Sequence, residues 1–135
     1  MKAKTIRRVY LREAAVSLLL ARMAVRVIPP ARVFAWANRP PRRIRRFAAD
    51  EIGWVLWAID AAAKKFRKET LCLPRALATH SMLRRRGITS RVCLGVAHEH
   101  DKLAAHAWVE VGEDRAVASP GAGAFTRLAE FGGSG

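Results

Sequence analysis

Apolar residues recur at helical spacing through the first two thirds of the chain and at every second position in the last third. Arg7 to Ile28 reads as a helix, being rich in Ala, Leu, Met and Arg, all good helix formers. Pro29-Pro30 ends it, because proline lacks the N–H donor and restricts the residue before it. Ala31 to Ala37 forms a short second helix, and residues 38–46 a basic connector that Pro40 and Pro41 keep from being helical. Asp50 reads as the N-cap of a third helix. Ile52, Val55, Leu56, Ile59, Ala63 and Phe66 mark its apolar stripe, and Lys64, Lys65, Arg67 and Lys68 crowd its last turn, where cations suit the helix dipole. After a break at residues 68–71 a fourth helix starts near Cys72, with Pro74 in its first turn, where a missing N–H costs nothing. Leu73, Ala76, Leu77, His80 and Leu83 form its buried stripe; Arg84, Arg85 and Arg86 charge its end, and Gly87 closes it.

The period then falls to two. Val92, Leu94 and Val96 alternate with Cys93 and Gly95, and Ala105, Ala107, Val109 and Val111 alternate with His106, Trp108 and Glu110. His98-Glu99-His100-Asp101 reads as a polar loop between these strands, without the spacing of a metal site. A turn at residues 112–115 leads to a third short strand, residues 116–119. Helices first and a small antiparallel sheet afterwards make an α+β protein. We divide it into a basic helical region at 1–48, a core at 49–131 and a flexible tail at 132–135.

A length of 135 residues with 51% hydrophobic residues suits one small packed domain. Two cysteines, Cys72 and Cys93, make no disulfide framework. The longest apolar segment, residues 14–28, is interrupted by Arg22 and Arg26, and the N-terminus lacks a secretory pattern, so the expected compartment is the cytoplasm. Charge sharpens the picture. The net charge is +14, and residues 1–50 hold thirteen Lys/Arg against two acids, +11, whereas residues 51–135 hold twelve against nine, +3. Such a field favours an acidic partner. Nucleic acid is not expected, because Tyr10, Phe34, Trp36 and Phe47 are scattered rather than set out as stacking platforms.

Cys72 and His106 are the candidate chemistry. A thiolate is the nucleophile of cysteine enzymes, and helix N-termini and histidines favour it. The first N–H groups of a helix lack intrahelical acceptors and can hold an oxyanion. A histidine on a neighbouring strand would take and return the proton. The plainer reading makes Cys72 a small buried hydrophobe and His106 a satisfied strand histidine. Cys93, in mid-strand, reads as core, and His80 as core or as a support to the site. No cofactor or metal is called for.

Taken together, Trp57 separated by fourteen residues from Cys72-Leu73-Pro74-Arg75-Ala76-Leu77, then Leu83 to Ile88, Gly95-Val96 and Ala105-His106-Ala107-Trp108-Val109-Glu110, resemble the B2 proteins of lasso peptide biosynthesis. These belong to the transglutaminase-like cysteine protease superfamily, with a papain-like core. The resemblance covers about residues 50–120. It implies a leader peptidase that cuts the leader from a ribosomally made precursor peptide. The implied partners are the B1 (RRE) leader-binding protein, the precursor leader and the lasso cyclase. It implies Cys72 as nucleophile and His106 as base. The family's third member is an aspartate on the next strand, but residues 117–120 here hold no acid. Ser119 stands as the candidate orienting residue, opposite His106 if the 112–115 turn closes a hairpin; Asp114 and Glu110 are the nearby acids. The missing aspartate motivates the alternative of a catalytically weak or inactive module that presents the precursor.

Overall fold

The computed structural model describes residues 3–41, 49–65, 72–99, 101–111, 116–117 and 126–132. Four helices precede four strands: α1 (Ala3–Val27), α2 (Pro30–Ala37), α3 (Ala49–Ala63), α4 (Cys72–Arg85), β1 (Ser90–Glu99), β2 (Lys102–Val111), β3 (Ala116–Val117) and β4 (Thr126–Gly132). The strands form one antiparallel sheet in the order β3-β2-β1-β4. This is the expected α+β arrangement.

Helix boundaries follow local chemistry. Pro30 takes the first position of α2, where its fixed φ helps and its missing donor is not needed. At the end of α4, Gly87 (φ 74°) donates its N–H to the Arg84 carbonyl, and Ile88 donates to the Leu83 carbonyl at 3.0 Å. That pair of bonds is the Schellman arrangement, which needs the left-handed conformation that glycine supplies. The lysines expected in the last turn of α3 lie just past its end, because α3 stops at Ala63. Phe66, Arg67 and Lys68 are outside the described residues.

Alternation along β2 sends Ala107, Val109 and Val111 to the helices, where with Val92 of β1 they join a core built from Leu18, Val55, Ile59, Met82 and Leu83. Removing one of these fully buried side chains, as in Leu83→Ala, costs about 2–5 kcal/mol by the usual cavity arithmetic. Ala14, Val33 and Ala37 belong to the same core, so α1 and α2 pack against the sheet-bearing part of the chain. Phe34 stacks on Phe131 at 4.2 Å between ring centres, fastening α2 to β4.

Asp50, expected as the N-cap of α3, lies inside its first turn, because the helix begins at Ala49. Two further sequence readings change. The first is Arg84-Arg85-Arg86, read from the sequence only as charge at a helix end. Arg84 donates to the Trp36 carbonyl at 2.8 Å and lies over the Trp36 ring. Arg85 and Arg86 both bond to Glu13 of α1. The run therefore clamps α1 and α2 onto α4. The second is the polar loop at residues 98–101. β1 continues through Glu99, which pairs with Lys102, so the hairpin turns within two residues, with Asp101 at φ 64°. Strand β4 has no counterpart among the expected elements.

Candidate active site

Cys72 is the first residue of α4, and Pro74 sits two positions further in, as the sequence predicts. The thiol is half-buried and packs against the rim of the main core. Asp60 of α3 holds Arg75 at 3.0 Å, which ties the first turn of α4 to the helix before it. The N–H groups of that turn have no intrahelical acceptor and are the local donors available to a developing oxyanion.

His106 lies in the middle of β2, opposite Gly95 of β1. It shares a face of the sheet with Trp108 and Glu110, while Ala107 and Val109 point into the main core that Cys72 flanks. The imidazole stacks on the Trp108 ring at 6.3 Å between centres and 19° between planes. Its Nε2 is buried. Trp108 in turn lies over Gly95, where an added Cβ would come within 2.7 Å of the indole and 2.6 Å of the Thr126 carbonyl. Gly95 is thus the seat of the platform under His106, which the sequence reading did not identify. A glycine in a strand interior is the available signal, since it marks close approach of another group.

Glu110 ends the same row. Its carboxylate is buried, accepts a bond from Trp108 Nε1 at 3.1 Å, and is bridged by Arg127 of β4. Arg127 also holds Glu130 at 2.9 Å. Glu110 therefore steadies the Trp108 ring and, through it, the stacking surface of His106. Ser119 and Asp114 lie outside the described residues.

Cys93 sits on this face as well, against Trp108. Burial first, and then the Glu110 carboxylate, push its thiol up to about 11, so it stays protonated at neutral pH and is a poor nucleophile. Donor atoms of Cys93, Glu110 and Glu130 come within 4.8 Å of one another, but Arg127 already supplies the positive charge between the two carboxylates.

His80, on the buried stripe of α4, is structural. Its Nε2–H donates to the Ala37 carbonyl at 2.8 Å, so Nδ1 accepts from the Ser90 hydroxyl at 2.7 Å. Burial lowers its pKa to about 4, against the pull of the Ala37 carbonyl and with help from Arg84. It is neutral at pH 7 and joins α2, α4 and β1.

Residues 15–130 match the family model described as the transglutaminase-like superfamily. No curated protein and no solved structure matches the chain. Among the described residues, no helix is long and apolar enough to cross a membrane.

Proposed function

Because the chain belongs to the transglutaminase-like superfamily, whose members include cysteine peptidases and transglutaminases, we propose that it is a cysteine peptidase that removes the leader from a ribosomally made lasso peptide precursor. The observation that carries this reading is the placement of Cys72 at the first residue of α4, within Cys72-Leu73-Pro74-Arg75-Ala76-Leu77, in a chain whose His106 rides on the adjoining sheet.

In the proposed reaction Cys72 Sγ attacks the carbonyl carbon of the leader–core bond, and His106 takes the thiol proton. N–H groups at the start of α4 hold the tetrahedral oxyanion. Collapse breaks the C–N bond, and His106 gives its proton to the departing amine of the core peptide. Water then attacks the thioester, His106 receives a proton from it and returns it to sulfur, and the leader leaves as a carboxylate. The freed amine is the group a separate cyclase would join to an acidic side chain. A leader-binding partner of the RRE type would deliver the precursor.

This chemistry asks the imidazole to come within about 3–4 Å of the thiol. The alternation of β2 directs His106 away from the core that Cys72 flanks, so the ring must turn toward the outer edge of β2. Among the described residues that edge carries no strand from Lys102 to Val109, since β3 pairs only with Glu110 and Val111. The test is to mix precursor, partner and enzyme, quench in acid and weigh the intact protein. A leader-acyl adduct on Cys72 supports the reading; an adduct on another residue, or undiminished cleavage by Cys72→Ala, refutes it.

One observation favours a second reading, a non-catalytic module that binds the precursor. The acid nearest His106 in its row, Glu110, is engaged by Trp108 and Arg127. A family relative without an orienting carboxylate retains chemistry more slowly or not at all. Precursor binding without any cleavage would select this reading.

A further inference from the structure

Helix α1 carries two apolar stripes. One, with Ala14, Leu18 and Ala21, is buried in the core. The other, with Val9, Val16, Leu20, Met23 and Val27, lies on the far side of the helix from Leu18 and is 52–78% exposed. Its spacings of seven, four, three and four residues are those of a helix-pairing seam. At the skipped position Glu13 is bound by Arg85 and Arg86. Beside the seam opens a groove of about 470 Å³ that takes in Leu20 of α1, Ile28 just past its end, Trp36 of α2 and Leu77 of α4, with Arg32 and Arg85 also in its wall. The other flank of the seam carries exposed Arg8, Arg12 and Arg26.

We propose that this seam and groove dock an acidic amphipathic helix of a separate polypeptide, one large apolar side chain of which fills the groove. The charge selects the occupant. A second copy of the chain would set Arg8, Arg12 and Arg26 against a like row on a molecule of the same +14 charge. A flat anionic membrane would meet the arginines but leave a concave groove unfilled. An acidic helix satisfies both, with apolar anchors in the groove and carboxylates along the basic flanks. Neither Cys72 nor His106 lines this groove, and the docking surface stands independently of the peptidase reading.

The test uses the full chain and a fluorescein-labelled synthetic helix of about six turns, with Leu and Phe at heptad core positions and Glu elsewhere. Saturable binding is expected by anisotropy. Leu20→Asp is expected to weaken it at least tenfold, and Arg12→Glu with Arg26→Glu to weaken it about tenfold and flatten its salt dependence. These side chains are exposed, and circular dichroism checks that each variant keeps its helix content. Absence of saturable binding, or binding that Leu20→Asp leaves unchanged, overturns the proposal. So does Leu20-dependent binding to phosphatidylglycerol vesicles alone, or a Leu20-dependent dimer in sedimentation.

Discussion

Gly95 stands directly opposite His106 in the β1–β2 ladder, and the Trp108 ring that His106 stacks on fills the space where a Gly95 side chain would begin. The conformation of the proposed base is therefore set from the neighbouring strand. Gly95→Ala places a Cβ against both an indole and a strand carbonyl, and neither is the loose end of a flexible chain. Destabilisation of about 1–3 kcal/mol is expected, the usual cost of overpacking. Urea denaturation measures it, near-ultraviolet circular dichroism should report the displaced indole, and cleavage should slow by more than the loss of folded protein explains.

Glu13 is the hinge pin between α1 and α4. Burial pushes its carboxyl up, but the guanidiniums of Arg86 and Arg85 outweigh this and hold it below the usual carboxylate range. Glu13→Gln leaves two arginines without their counter-charge at a partly buried site. A loss of roughly 2–3 kcal/mol in denaturant unfolding is expected. A surface pair would have given less than about 1 kcal/mol.

His80 makes stability depend on mild acidity. Its folded pKa of about 4 lies below the ordinary 6.5, so the unfolded chain binds the proton more readily. The stabilising effect is complete above pH 6.5 and disappears as pH falls from there toward 4. By pH 5 the loss is about 2 kcal/mol, from the difference between those two values. Unfolding free energies at pH 7.5 and pH 5 measure it, and His80→Asn should flatten the profile over this window. The Glu13 contribution falls away at lower pH, below the usual carboxylate value of 4.5, which separates the two.

The two thiols should differ sharply. Cys93 is fully buried with its thiol pushed up to about 11, whereas Cys72 is half-buried at a helix start. Iodoacetamide at neutral pH is expected to modify native protein once, at Cys72, and to reach Cys93 only after unfolding. Peptide mapping by mass spectrometry identifies the site.

These readings show which parts of the molecule are written locally. The start of α4 at Cys72 and its close at Gly87 were legible because a first-turn proline and a left-handed glycine act on their own neighbours. The strands around Val92 and His106 were legible from alternation, though both run longer than their apolar centres. Strand β4 was not. Thr126–Gly132 carries few apolar residues and a bulge, and it becomes a strand by pairing with β1, whose partner residues lie 30 to 41 positions earlier. The arginine run was legible as charge but not as a clamp, because its counterpart Glu13 lies 73 residues from Arg86. At the site, Cys72 and His106 stood out by motif, while the Gly95–Trp108 seat and the Arg127 bridge depend on strand register, which no single segment reveals.

The most direct test of the central claim is cleavage of purified precursor, in the presence of its leader-binding partner, by wild-type protein and by Cys72→Ala and His106→Ala. Intact mass spectrometry would follow the release of leader and core. The account predicts cleavage by the wild type and none above background by either variant, both remaining folded. Undiminished cleavage by either variant would contradict it.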